Sequence, residues 1–170
     1  MTAALEMTAA LGADAGRARD EQEIRALLDR YTDAVNHRDY DTVRACWAED
    51  GVWELHAPIN GRYEGADAIL AECRRAVDSQ ELFVQMTHAI VVTDLTDRTA
   101  RARVTLNEVG KARQGVPGAL PGVGGMNILA FYTDELVKRD GAWRFRKRVY
   151  DVVLIDFAAP QGQVQPAPAF

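Results

Sequence analysis

The feature that most constrains this chain is a run of four long strand-like stretches filling its second half. Residues 82–95 (LFVQMTHAIVVTDL), 98–112 (RTARARVTLNEVGKA), 126–140 (MNILAFYTDELVKRD) and 142–157 (AWRFRKRVYDVVLIDF) are rich in β-branched and aromatic residues. The last two meet at Asp140-Gly141, a dipeptide suited to the tight turn of a hairpin. The stretch 98–112 alternates cleanly, with Ala102, Val104, Leu106 and Glu108 on one side and Arg101, Arg103 and Thr105 on the other. That is the pattern of a half-exposed strand in an antiparallel sheet. A sheet of this kind has one apolar face that must be covered.

The first half supplies the cover. Ile24, Leu27, Leu28, Tyr31 and Val35 recur at helical spacing behind Asp20, a plausible N-cap, with Glu21 and Glu23 in the first turn. A second helix is expected over 39–47, carrying Tyr40, Val43 and Trp47 inward, and a third over 66–79 with Ile69, Leu70, Cys73 and Val77 on one face. Between them GVWELHA (51–57) reads as a strand leading into the turn-rich 58–65. Helices first and long strands after predict an α+β fold, three helices packed on a curved, mostly antiparallel sheet that bends around a cavity. The domain spans 20–157. Residues 1–19 read as a flexible arm, the Gly- and Pro-rich 114–125 as a long connection or lid, and 158–170 as a disordered tail.

Composition narrows the function. A net charge of −5 and a pI near 5.2 argue against a nucleic-acid partner. No apolar run approaches the ~20 residues that span a bilayer. The first residues lack a basic leader before an apolar core, so a cytoplasmic location is expected. His37, His56 and His88 have no metal-ligand spacing, Cys46 and Cys73 read as small buried residues, and no phosphate loop or nucleophile elbow occurs. No metal and no cofactor are expected.

His88 is the first candidate for chemistry. Strict alternation puts Val84, Met86, His88, Ile90 and Val92 on one side of their strand, so the imidazole is either a satisfied core residue or a proton-transfer group lining a cavity. Tyr31 lies on the apolar stripe of the first helix, as a core aromatic or as a hydroxyl facing substrate. Glu108 ends an apolar strand face, as a pocket acid or as a residue leaving the core. Trp47, Trp53, Met86, Phe131 and Tyr132 are cavity wall or core. Asp33 falls opposite the apolar stripe, and Glu54 is expected to point away from the apolar side. The basic run Arg144, Arg146, Lys147 and Arg148 reads as a solvated strand face, one of whose arginines could reach an anionic substrate group.

The stretches 24–53 (IRALLDRYTDAVNHRDYDTVRACWAEDGVW), 61–65 (GRYEG), the strand centred on His88, and 127–145 (NILAFYTDELVKRDGAWRF) resemble the SnoaL-like branch of the nuclear-transport-factor-2-like superfamily. The resemblance implies a cone-shaped α+β barrel and a homo-oligomer, dimer or trimer. Within the branch the chain is similar to cofactor-free lyases of the bile-acid 7α-dehydratase, hexachlorocyclohexane dehydrochlorinase and scytalone dehydratase types. By that resemblance His88 moves a proton, Tyr31 polarises a substrate oxygen, and Asn36, standing where the dehydratase has an acid, orients the imidazole. Trp53, Met86, Glu108, Phe131 and Tyr132 then line the site of a small apolar cyclic molecule. Elimination is the expected reaction, with isomerisation or cyclisation in the same cavity, or ligand binding without turnover, as the alternatives.

Overall fold

The computed structural model describes residues 2–113, 124–158, 160 and 162–165, with side chains at Gly12 and from residue 14 onward. Its elements are α1 (Thr2–His37), α2 (Tyr40–Ala45), β1 (Trp47–Leu55), β2 (Gly61–Glu64), α3 (Ala66–Asp78), β3 (Gln80–Leu95), β4 (Thr99–Ala112), β5 (Gly125–Arg139) and β6 (Ala142–Asp156). One six-stranded sheet has the order β2-β1-β6-β5-β4-β3, antiparallel throughout except where β1 runs parallel to β6. This is the α+β architecture the sequence predicts. At the β5–β6 hairpin both Asp140 (φ 52°) and Gly141 (φ 77°) take positive φ, the turn geometry that matches the twist of the strands. The connection expected over 114–125 and the tail over 158–170 lie largely outside the described residues.

Two local expectations change. The first helix begins at Thr2, so the arm expected over 1–19 continues α1. Asp20 is therefore inside the helix and caps nothing. Its carboxylate accepts from Lys138 Nζ, and from Trp143 Nε1 at 3.0 Å, tying α1 to the β5–β6 hairpin. Two donors on the hairpin outweigh its local preference for a helix start. The cap forms at Asp39 instead, which accepts from the Thr42 N–H at 3.1 Å and opens α2. Trp47, expected at the end of that helix, lies two residues beyond it and begins β1, fully buried.

The apolar stripe of α1 (Ile24, Leu27, Leu28, Tyr31, Val35) and one face of α3 (Ile69, Cys73, Val77) pack on the inner sheet face, against Val104, Leu106, Ile128, Leu136 and Phe145 among others. β3 is an edge strand, and an open edge invites pairing with other chains. Here α1 and the residue beyond it cover that edge. Arg17 donates to the Leu95 carbonyl (3.1 Å), Arg25 to Ile90 (2.7 Å) and Arg38 to Gln80 (3.2 Å). Asn36 meets both backbone groups of Gln85, accepting from its N–H at 2.7 Å and donating to its carbonyl at 2.8 Å. An amide side chain thus substitutes for a neighbouring strand.

Three of the sheet's register shifts bear on which side chains face the cavity. Between the Thr87–Leu106 and Ile90–Val104 pairs, β3 carries one residue more than β4, at His88–Ala89. In β6 the pairs Leu136–Phe145 and Glu135–Lys147 leave Arg146 extra, and Ala130–Val152 and Leu129–Leu154 leave Val153 extra. Each such bulge reverses the face taken by the side chains that follow.

Candidate active site

Because of the bulge, Phe83 and Gln85 face inward on the near half of β3, and Ile90 and Val92 pack on the core beyond it. Val84 and Met86 turn outward, and His88 sits exposed at the bulge itself. On this part of β3 the buried, inward-facing polar side chain is Gln85, not His88. His88 therefore lies outside the cavity, and Asn36 has no imidazole to orient; its amide is engaged with the Gln85 backbone.

The cavity itself, about 230 Å³, lies between the two long helices and the inner sheet face. α1 contributes Tyr31 and Val35, β1 Trp53 and Leu55, α3 Cys73 and Val77, and the sheet Phe83, Gln85, Glu108, Ile128, Tyr132 and Tyr150. Most of this wall is apolar. Glu72 and Arg75, which pair with each other at 2.6 Å, are its other charged lining residues. Four polar side chains meet at the sheet: Tyr150 donates to Glu108 Oε2 at 2.7 Å, and Gln85 Nε2 donates to Glu108 Oε1 at 2.6 Å and to the Tyr132 hydroxyl at 3.0 Å. The sheet register dictates the meeting, since Gln85 pairs with Glu108 across β3–β4 and Tyr132 with Tyr150 across β5–β6.

Burial raises the Glu108 pKa, while the hydrogen bonds from Gln85 and Tyr150 hold it down. Burial, and then the charge of Glu108, push the Tyr132 and Tyr150 hydroxyls far above the usual phenol range, and burial does the same to Tyr31. These hydroxyls stay protonated at neutral pH. The Cys73 thiol is pushed up to about 12, chiefly by burial, so it is a wall residue rather than a nucleophile. One group in this wall is thus tuned toward neutrality: Glu108.

Behind the wall stands a second buried charge. Arg148, expected on a solvated face, is turned inward by the Arg146 bulge and is 1% exposed, against Asp134 at 0%. The two form a bidentate pair, Nε to Oδ1 at 2.7 Å and Nη2 to Oδ2 at 2.8 Å. The guanidinium carbon lies 4.6 Å from the ring centre of Tyr31, 3.9 Å from that of Tyr132 and 4.0 Å from that of Phe145. Two of the cavity's tyrosines are therefore held by one planar cation.

Of the residues expected to line the site, Tyr31, Trp53, Glu108 and Tyr132 are brought together there. Met86 and Phe131 are not. They are 38% and 47% exposed on the outer sheet face, where Val91, Leu129, Val153 and Leu154 are also exposed. An apolar outer face gives the same alternating pattern as a core face, so alternation alone does not separate them. Glu54 is turned away from the cavity as expected, toward Arg62 and Lys147. Gln85 and Tyr150 escaped the sequence reading: their facing depends on the bulges, and neither stands in a recognisable motif. Three lining residues, Trp53, Gln85 and Gln80, each bury a polar side-chain atom (Nε1, Oε1 and Oε1) that has no protein hydrogen-bond partner. Among the described residues no group of three or more His, Cys, Asp or Glu is placed to hold a metal ion, and no described helix is long and apolar enough to cross a membrane.

Residues 16–149 match the family described as the SnoaL-like domain. No curated protein sequence matches the chain significantly. Among solved structures, the fold is similar to the type 3 hexachlorocyclohexane dehydrochlorinase LinA of Novosphingobium barchaimii, with a TM-score of 0.75 and 20% identity over 90% of this chain and 99% of that one. It is also similar to a type 2 LinA (0.73; 18% identity; 91% and 97% covered). A scytalone dehydratase candidate from Novosphingobium aromaticivorans gives 0.72 at 17% identity, with 89% and 99% covered. At these identities the likeness is one of fold.

Proposed function

The chain belongs to the SnoaL-like family, and we propose that it is a cofactor-independent acid–base lyase that eliminates water from a small cyclic substrate held in the inner cavity. The observation that carries this reading is Glu108, a carboxyl buried in an apolar wall with its pKa raised and a tyrosine hydroxyl on one of its oxygens. Burial disfavours the charged form of such a carboxyl, so it is a stronger base than a free one and can take and return a proton. The dehydrochlorinase and dehydratase names of the structural neighbours denote eliminations and support the reaction class.

In the proposed step, ionised Glu108 takes the proton from a carbon next to a substrate carbonyl, and the electron pair forms the new double bond as the C–O bond to the leaving hydroxyl breaks. Tyr150 gives its proton to the departing hydroxide. Glu108, now protonated, returns a proton to Tyr150 along their 2.7 Å hydrogen bond. Substrate yields alkene and water, and the enzyme is restored. Tyr31 and Tyr132, locked on Arg148, are the hydroxyls for polarising the carbonyl. In an isomerase the same carboxyl would return the proton to another carbon, and product mass separates the two.

Glu108→Gln is isosteric and keeps a partner for Tyr150. It is expected to lower turnover of cyclic β-hydroxy ketones by about 10²–10⁴-fold, with His88→Gln close to wild type. Normal turnover by Glu108→Gln would overturn the assignment. A second reading, a ligand-binding module without turnover, is favoured because no acid–imidazole pair lines the cavity among the described residues. It predicts tight binding and no product in either variant or wild type. The dimer or trimer implied by the family resemblance is assigned to the outer apolar face around Phe131 and Leu154.

A further inference from the structure

The two long helices cover the inner face of the sheet, whereas the outer face exposes Met86, Val91, Leu129, Phe131, Val153 and Leu154. Grouped apolar residues on a folded domain mark a surface that joins another. Four adjoining strands of 14–16 residues, β3 to β6, build this one. At ~4.8 Å between strands and ~3.3 Å per residue, their outer face measures roughly 20 Å by 45 Å, about 900 Å². A stable contact takes about 800 Å² from each partner. The face is large enough for one such contact, and not for the two that each copy makes in a ring of three.

Charge says which partner fits. In the middle of the face Val91, Arg103, Thr105, Phe131, Thr133 and Asp151 line one shallow depression. Arg103 is exposed and makes no ion pair or side-chain hydrogen bond among the described residues. Asp151 meets the His56 ring through Oδ1 at 2.7 Å, and its side chain is still 45% exposed. The register sets where the two charges stand. Thr133 of β5 pairs with Arg103 and Val149, and Phe131 pairs with Thr105 and Asp151. Arg103 and Asp151 therefore lie two strands and two residues apart, diagonally across Phe131 and Thr133.

A cation and an anion on opposite sides of a central aromatic make a patch complementary to itself. Self-complementarity is what a two-fold contact requires, whereas a ring of three joins two different patches. With the axis lying in the face beside Phe131, a second copy turned over onto the first brings each Arg103 opposite an Asp151.

We propose that this face pairs with the same face of a second copy about a two-fold axis at Phe131, with Arg103 of each chain against Asp151 of the other. The inference rests on the assignment of self-association to the outer face and deepens it: the assembly is a dimer, and one named charge pair fixes its register. It is independent of the chemistry at Glu108.

Charge reversal tests the pairing in the full chain by sedimentation, since Arg103→Asp and Asp151→Arg both change exposed side chains. The wild type is expected to be a dimer. Either reversal sets like charges opposite each other at both symmetry-related contacts and is expected to raise the dissociation constant about 100-fold. Mixed in equal amounts, the two variants are expected to form a one-to-one heterodimer, because every facing pair is again opposite in charge; a mass tag on one variant identifies it. The chain carrying both reversals is expected to dimerise like wild type. A wild-type monomer or trimer, single reversals without effect, or variants that stay apart when mixed would each overturn the pairing. If mixing fails while Phe131→Lys still dissociates the wild-type dimer, the outer face stands as the interface and only this charge register is wrong. If Phe131→Lys has no effect either, the assignment of the face falls with it.

Discussion

Replacing Arg148 by methionine is the perturbation that most severely tests how this cavity is held in shape. The guanidinium and the Asp134 carboxylate are 1% and 0% exposed and joined by two hydrogen bonds of 2.7 and 2.8 Å. Removing one member of such a pair strands the other charge out of water, which costs about 3–5 kcal/mol. For a chain of this length each kcal/mol moves the melting temperature by about 2–4 °C, so Arg148→Met should melt about 6–20 °C below wild type. Urea unfolding followed by tryptophan fluorescence gives the free energy directly, with the slope checking that the transition stays two-state. The double variant Arg148→Met with Asp134→Leu removes both charges and should recover most of the loss, since well-packed apolar replacements of a buried pair are neutral or stabilising by about 1–4 kcal/mol. A single-variant loss below about 1 kcal/mol, or a double variant no better than the single, would refute the claim that Asp134 depends on this cation.

Other expectations follow from the same geometry. Asn36→Asp replaces the donor that meets the Gln85 carbonyl with an acceptor and should cost about 1–3 kcal/mol in denaturant unfolding. The raised pKa of Glu108 means its contribution to stability is complete below about 4.5 and is lost as pH rises through its folded value, so Glu108→Gln should flatten the decline on that side. Asp20, lowered chiefly by its hydrogen bond from Lys138, works oppositely: its contribution is present above about 3.8 and lost as pH falls through the folded value, and Asp20→Asn should blunt the acid limb. Phe131→Lys on the outer apolar face should reduce the mass seen by sedimentation if that face joins copies of the chain, and an unchanged mass would remove the assignment.

Much of the architecture was legible because it rests on repeated signals. The stripe Ile24 to Val35, the alternation Ala102 to Glu108 and the Asp140-Gly141 turn each repeat one instruction several times, and each predicted element formed. The cavity wall was half legible for the same reason: Tyr31 and Glu108 lie on unbroken periods. His88 and Arg148 were misplaced because each lies at or beyond a one-residue bulge. A bulge leaves no mark in composition, yet it inverts every later side chain until the next one. Asp20 shows a different limit. Its local chemistry suits a helix start, but donors more than a hundred residues away on the β5–β6 hairpin claim its carboxylate. Met86 and Phe131 show a third, since an apolar pattern does not say which face of a sheet is the inside.

The measurement closest to the central claim is the pH dependence of kcat/KM for dehydration of a cyclic β-hydroxy ketone, followed by the absorbance of the conjugated product. With Glu108 as the base, the rate rises with pH through an apparent pKa above the usual carboxylate range. That limb is absent from Glu108→Gln and unchanged in His88→Gln. A limb that survives in Glu108→Gln and vanishes in His88→Gln would contradict the account, because it would return the chemistry to an imidazole on the outer face of β3.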